Sequence, residues 1–385
     1  MAVAAEFHFP CANCGADLRF APGQTELTCD HCGHVQPIPE VPAGGRQRAL
    51  AELDLARGIA KDLDDASMVD VRTTSCPSCG AQVEFDGVTY AKECPFCATP
   101  VVTDTGTRRH IKPQAVLPFV MTEDQARAEM VKWMGSLWFA PSALVEYARK
   151  GRALSGVYVP FWTYDANTQS RYSGQRGEFY YETRTVSVVV NGRRETRDEQ
   201  VQRTRWYSAS GHVARDFDDV LVMASKSLPS RLGNELTPWD LSALQPYAPD
   251  YLAGFSAEGY TILLEDGYQM AQAQMNSVIQ RDVMRDIGGD VQRIDSLQTD
   301  YSDETFKHVL LPVWMAAYKY NGRSFRFLVN GQTGEVQGER PYSAWKIAFA
   351  VLVALAIIAT LVYLNDPQAF RAATDRVTLP DWMGN

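Results

Sequence analysis

The sequence predicts an α+β chain built of several modules, and three observations carry that prediction. Eight cysteines near the N-terminus repeat one four-cysteine pattern. The middle of the chain alternates in the manner of strands between a few helical stretches. An uncharged apolar run lies near the C-terminus. The expected divisions are residues 1–45 and 71–105 for two small cysteine modules, 46–70 for a helical linker and 115–340 for a mixed, β-rich middle domain with helices. Residues 345–364 are expected to form a transmembrane helix and 365–385 a short tail.

The cysteines come first because none is left over. Cys11-Ala-Asn-Cys14 is followed after fourteen residues by Cys29-Asp-His-Cys32, and Cys76-Pro-Ser-Cys79 after fourteen residues by Cys94-Pro-Phe-Cys97. The second set lies 65 residues downstream, in matching surroundings: Cys14-Gly-Ala-Asp-Leu-Arg-Phe against Cys79-Gly-Ala-Gln-Val-Glu-Phe. Two residues between cysteines let both thiolates of a turn face one ion, and two such turns complete a tetrahedral site. The pattern therefore predicts two tandem zinc ribbons, each with one structural Zn²⁺; four thiolates also hold Fe(II), and spacing does not separate the two metals. Gly15, Gly33 and Gly80 each follow the second cysteine of a knuckle, where a positive φ is favoured, and Ala98 breaks the habit. His31 and His34 read as surface residues, since four sulfurs already fill each site.

Disulfide staples and redox centres are the competing readings. A thioredoxin-like motif needs one Cys-x-x-Cys beside a βαβ pattern, and no such setting occurs. Stapled scaffolds belong to secreted chains, and residues 1–20 lack a basic start followed by an apolar run. Ribbons this small bury too little to fold alone, so a structural ion worth about 10–16 kcal/mol would supply the difference.

Residues 347–364 (IAFAVLVALAIIATLVYL) carry no charge. At about 1.5 Å per residue they extend about 27 Å, near a hydrocarbon core of about 30 Å, with Trp345 and Tyr363 at the ends and Lys346 able to snorkel. The run predicts a single-pass anchor in a bacterial cytoplasmic membrane, with the lipid bilayer as a partner. Flanking charges are nearly even, so the reduced thiols decide orientation and place the N-terminal bulk in the cytosol.

A net charge of −9 and a pI near 5.3 disfavour binding driven by phosphate neutralisation, and 45% hydrophobic residues suffice for a substantial core. Residues 37–45 form a Pro/Gly-rich connector, and residues 46–66 read as a helix with Leu50, Leu53, Ala56 and Ala60 on one stripe. Thr122 caps a further helix whose first turn holds Glu123 and Asp124. Pro141 opens another through Lys150, and residues 263–287 return to helix. Strands are expected over 157–164, 179–190, 201–213, 309–320, 324–330 and 335–338, with a turn at Asn191-Gly192 or a longer loop reaching Gln200, and turns at Asn321-Gly322 and residues 330–334. Val157-Tyr-Val-Pro-Phe-Trp162 echoes Val309-Leu-Leu-Pro-Val-Trp314, so Pro160 and Pro312 can mark equivalent bends in two related halves.

The paired knuckles, Trp138-Phe-Ala-Pro141, Gly156-Val-Tyr-Val-Pro-Phe-Trp-Thr-Tyr-Asp-Ala166 and Asn330-Gly-Gln-Thr-Gly-Glu335 together resemble bacterial membrane-anchored zinc-ribbon proteins of the transcription-factor-B type. The resemblance covers most of the chain from Cys76 to the apolar run. It implies a bacterial origin and a ribbon–globular–membrane order, and it implies no settled activity. Members of that family are often labelled as replication-restart (primosomal) helicases. The last strands also look like a PepSY-type β-module.

A helicase reading meets a chemical obstacle. A motor needs a phosphate loop ending in Gly-Lys-Ser/Thr, and the sequence contains none, so Arg197-Asp-Glu-Gln200 reads as charge on a hairpin. No Gly-x-Ser-x-Gly elbow or His-Glu-x-x-His helix occurs, and His110, His212 and His308 are scattered. Asn330-Gly-Gln-Thr-Gly334 lies between strands and reads as a turn rather than a phosphate cradle. Arg184, Arg193, Arg194, Arg197, Arg203 and Arg205, beside Trp206 and Tyr207, form the best nucleic-acid candidate, but Glu182, Glu195, Asp198 and Glu199 are interleaved with them. The expected function is a non-enzymatic, membrane-anchored scaffold or adaptor whose ribbons recruit a protein partner. The alternative is a membrane-tethered nucleic-acid-binding ribbon protein without helicase activity.

Overall fold

The computed structural model describes residues 9–39, 41–78, 80–84, 91–94, 96, 99–102, 107–138, 154–190, 193–320, 323–339 and 344–365. Its elements in order are β1 (Leu18–Phe20), β2 (Glu26–Cys29), β3 (Val35–Pro37), α1 (Ala43–Ala49), β4 (Leu53–Asp54), α2 (Leu55–Ile59), β5 (Met68–Ser75) and β6 (Gln82–Glu84). Then come β7 (Ala91–Glu93), β8 (Pro100–Val102), β9 (Thr107–Ile111), β10 (Ala115–Val116), α3 (Glu123–Ser136), β11 (Ser155–Val190), β12 (Arg193–Met223) and α4 (Ser230–Glu235). The chain continues through β13 (Gln245–Pro246), β14 (Ser256–Ala257), α5 (Leu264–Ile287), β15 (Val291–Tyr320), β16 (Arg323–Asn330), β17 (Val336–Gly338) and α6 (Ala344–Asn365).

The fold class needs correction. The chain is β-rich and built on a large mixed sheet, with six α-helices among the described residues, and none of these crosses a membrane. A helix does form over the apolar run, as α6. Yet among the described residues no helix is long and apolar enough to cross a membrane. The single-pass anchor and the placement at the cytoplasmic membrane therefore do not stand.

The main sheet is organised around three very long strands, in the order β12-β11-β15. Thirty-six residues in β11 extend for about 120 Å at about 3.3 Å each. Burial along β11 falls into three zones that its composition explains. Residues 157–164 (VYVPFWTY) are buried on both faces, as a continuous apolar run demands. Over 166–174 burial alternates, with Ala166, Thr168, Ser170, Tyr172 and Gly174 inward and polar neighbours outward. From Phe179 to Arg184 every described side chain is exposed. Helix α5 covers the middle zone with one stripe, Gly267, Ala271, Met275, Ile279 and Val283, each four residues from the last. Tyr172 Oη donates to Asp286 (2.5 Å), and Arg215 makes a forked bond to Asp282 (2.5 and 3.0 Å), which fixes the helix on the sheet.

An internal repeat governs the centre. The two Pro-Trp echoes pair with each other in antiparallel register, Val157 with Val313 and Pro160 with Leu310. Outside β11, β14 runs parallel at Val157 and Tyr158, and β12 takes over antiparallel at Phe161. Outside β15, β10 runs parallel at Val309 and Leu310, and β16 takes over antiparallel at Val313. Each proline thus sits where one neighbour gives way to the next, so its missing N–H costs no ladder bond. The carbonyl of Pro160 accepts from Ala224 (2.9 Å) and that of Pro312 from Gly331 (2.8 Å). Trp162 Nε1 donates to the Ile262 carbonyl and Trp314 Nε1 to that of Met121, both at 3.0 Å. Each half therefore lends its short strand, β10 or β14, to the long strand of the other.

The helix at Thr122 begins as its sequence predicts. Thr122 Oγ1 accepts from the Gln125 amide while the Gln125 side chain accepts from the Thr122 amide, a reciprocal capping box. The helix expected over 46–66 is instead divided. Leu53 and Asp54 pair with Phe306 and Thr305 of β15, and Asp54 Oδ1 accepts from the Arg57 amide (2.8 Å) to start α2. Pairing to the sheet overrides the helical stripe there. The helix expected from Pro141 to Lys150, the turns at Asn191-Gly192 and Asn321-Gly322, and the tail beyond Asn365 lie outside the described residues.

The two cysteine modules pack on opposite faces of the sheet. Cys11, Phe20, Leu27 and Cys29 join a cluster with α3, Tyr158 and Trp314. Cys76, Cys94 and Phe96 join one with α4, Val159, Phe161 and Leu311.

Candidate metal centre

Strands β1, β2 and β3 form an antiparallel sheet that carries two knuckles. In the first, the Cys11 amide donates to Ala16 (2.7 Å) and the Gly15 amide to Cys11 (2.8 Å). In the second, Cys29 donates to His34 and Gly33 to Cys29, both at 2.9 Å. Gly15 and Gly33 have φ of 78° and 72°, and a Cβ at either would meet nothing within 4 Å. Glycine is needed there for its backbone conformation alone.

These turns gather the Cys11, Cys14, Cys29 and Cys32 sulfurs within 4.8 Å of one another. Cys11 Sγ lies 3.6 Å from Cys32 Sγ, and Cys14 Sγ 3.5 Å from Cys29 Sγ. A tetrahedral ion with metal–sulfur bonds of about 2.3 Å requires sulfurs about 3.8 Å apart, whereas a disulfide closes to about 2 Å. The donor set fits a four-thiolate ion, and the cluster can hold a metal. The His34 backbone amide, assisted by the Cys14 thiol, lowers the Cys32 thiol to about 6. Amides that favour thiolate are what a soft divalent cation requires of its cradle. Cys11 and Cys29 are buried, Cys14 and Cys32 are exposed, and His31 and His34 stand outside the cluster. Four sulfurs leave no coordination position open to water or substrate.

Part of the second cysteine set is described, and it repeats this geometry. The Cys76 amide donates to Ala81 (2.8 Å), Gly80 to Cys76 (2.9 Å) and Cys94 to Thr99 (2.8 Å), with Gly80 at a φ of 76°. Cys76 and Cys94 are both buried. Cys79 and Cys97 lie outside the described residues.

The other residues singled out in the sequence do not assemble. His308 is buried with Nδ1 2.8 Å from the Ile111 carbonyl, and burial lowers it to about 4, so it stays neutral. His110 and His308 flank the Tyr260 ring, while His212 lies exposed on β12. Asn330 Oδ1 accepts from the Gln332 and Thr333 amides (2.8 and 3.0 Å), which makes residues 330–334 a side-chain-capped turn. Of the basic cluster, Arg203 faces Glu182 at 3.5 Å and Arg205 lies over the Tyr180 ring.

One charged group escaped the sequence reading. Lys307 Nζ, largely buried, lies 3.1 Å from Glu52 and 2.9 Å from Asp219. Glu52, Asp165 and Asp218 approach within 4.8 Å, and Asp165 stands in a β-bulge. The signal was a lone lysine at the edge of an apolar strand run, but its partners are distant in sequence. The lysine is the resident cation, so the group serves as an ion-pair network tying the segment before α2 to the sheet. Burial, with Glu52 alongside, raises Asp165 to about 7 from 3.8; against burial, hydrogen bonds from Asp165, Thr305 and Lys307 lower Glu52 to about 2. A raised acid favours the native state while it holds its proton, so this contribution is full below about pH 4 and lost as pH rises through 7. Asp165→Asn is expected to flatten thermal stability between pH 4 and 7 and to add on the order of 1–2 kcal/mol at pH 8. Melting curves across that range check it, and an unchanged pH profile counts against the shared proton.

Comparison with known proteins adds a relative but no activity. No family model matches the chain, and no solved structure does. The chain is 26% identical over 345 residues to a protein of Bacillus subtilis (strain 168) described as the uncharacterized protein YdjG, covering 88% of this chain and 92% of that one.

Proposed function

We propose that this chain is a non-enzymatic zinc-ribbon scaffold that recruits a protein partner. It would hold two structural Zn²⁺, one through Cys11, Cys14, Cys29 and Cys32 and one through Cys76, Cys79, Cys94 and Cys97. A closed thiolate shell supports a structural rather than a catalytic role for the metal. The resemblance to ribbon proteins of the transcription-factor-B type supports the same reading. The observation that carries recruitment is the exposed end of the long sheet. There Phe179, Tyr181 and Trp206 share one face, each at least two-fifths exposed. Aromatic rings of this kind anchor protein interfaces, whereas the acids among the neighbouring arginines work against a nucleic-acid backbone.

The test is capture by the full-length chain with a photo-crosslinker placed beside the patch. A protein should be trapped, should persist after nuclease treatment, and should be lost from Phe179→Ala/Trp206→Ala. Capture that nuclease abolishes, or that ignores the double substitution, overturns the reading.

A further inference from the structure

We infer that the outer edge of β11, centred on Thr183, is a self-association strand that pairs antiparallel with the same strand of a second copy of this chain. The inference rests on backbone groups and register rather than on the aromatic face described above.

Strand β15 accompanies β11 only as far as Gly177, which pairs with Val291. Asp290 closes that ladder: its amide donates to the Gly177 carbonyl (2.9 Å), and its Oδ2 accepts from the Phe179 amide (2.7 Å). Residues 177 and 179 thus direct their main-chain groups away from β12. Antiparallel strands alternate, and no register shift occurs between Ala166 and Val190 on the β12 side. Tyr181, Thr183, Thr185 and Ser187 therefore also present N–H and C=O on the open edge. No strand pairs with this stretch other than β12 among the described residues.

Exposed edges are normally blunted by lysine, proline, bulges or dense charge. The partner strand β12 is so protected, by Arg194, Arg197, Asp198 and Glu199. The stretch Tyr181-Glu-Thr-Arg-Thr-Val186 has no lysine, proline or glycine, and no bulge. Its charges are placed for self-pairing. A twofold axis through Thr183 sets Glu182 opposite Arg184 of the second copy, twice, and Tyr181 opposite Thr185. Centring on 182 or 184 would oppose like charges. Centring on 185 would leave Arg184 facing Val186. Only the axis at 183 satisfies both the open main-chain groups and the charges, through about six main-chain hydrogen bonds. An interface this short belongs to the weak, transient class.

The experiment uses the full chain. Sedimentation velocity up to on the order of 100 μM should show reversible dimerisation, and Thr183→Pro should weaken it about 10-fold or more. Proline at 183 removes an N–H that faces away from β12, so the hairpin itself is kept. Thr183→Cys should give an intermolecular disulfide under mild oxidation, because residues at the axis approach within about 5.5 Å, whereas Thr185→Cys should not. A monomeric wild type, a dimer indifferent to Thr183→Pro, or equal cross-linking at 183 and 185 overturns the inference. An added strand from a different protein would appear as the first of these outcomes. Capture through Phe179 and Trp206 is read separately, so either proposal can fail alone.

Discussion

Stripping the metal from the N-terminal ribbon should unfold far more than the ribbon. Cys29 is buried in the cluster that also contains Phe20, Tyr251, Trp314 and α3, and Phe20 packs edge-on against Tyr251 at 5.4 Å. A structural zinc contributes about 10–16 kcal/mol, which matches or exceeds the whole stability of an ordinary domain, about 5–15 kcal/mol. Cys29→Ser, or a strong chelator, is therefore expected to abolish the near-ultraviolet circular dichroism of the sheet's aromatic residues and to lower the melting temperature by well over 10 °C. Cys14→Ser removes an exposed donor of the same four-sulfur site, so it should reproduce the effect of the chelator, and any further loss in Cys29→Ser measures the buried packing. Elemental analysis should find two Zn²⁺ per wild-type chain and one after Cys14→Ser. A melt indifferent to chelation, or fewer than one ion per chain, would show that metal does not hold these elements together.

The second large effect concerns the paired tryptophans. Trp162 is fully buried and Trp314 nearly so, and each donates its indole N–H to the carbonyl of the residue before a helix entry. Truncation to alanine is expected to cost about 3–5 kcal/mol at either position. Trp→Phe should cost about 1–3 kcal/mol, since the ring is largely kept and one buried carbonyl loses its donor. Urea denaturation of the four variants checks both figures. Equal losses at 162 and 314 would show that the repeat is energetic as well as geometric. A neutral Trp314→Phe would show that only the first half depends on this bond.

How much of this was legible in the sequence depended on whether a signal was local. The knuckles were, because two intervening residues and a following glycine define a turn by themselves. The cap at Thr122 was, because every atom of a capping box lies within four residues. The Pro-Trp echo was visible as a pattern, but its meaning was not: each proline marks a change of neighbouring strand, a tertiary fact. Residues 46–66 show the opposite failure, since their apolar stripe is real and pairing with Thr305 and Phe306 overrode it. The ion-pair network was hidden because Glu52, Asp165 and Lys307 are far apart in sequence. The apolar run does form a helix, but among the described residues no helix is long and apolar enough to cross a membrane.

The exchange of short strands between halves has a consequence for biosynthesis. Strand β10 finds its partner in β15 only when Val309 and Leu310 exist, roughly 190 residues after Ala115 leaves the ribosome. At about 5–20 residues per second that is a wait of roughly 10–40 s. During this interval residues 157–164 can pair with β12 and β14 but lack the β15 neighbour on their other side. A nascent chain halted near residue 290, with β11 still unpaired on its β15 side, is therefore expected to be prone to aggregate and to depend on chaperones.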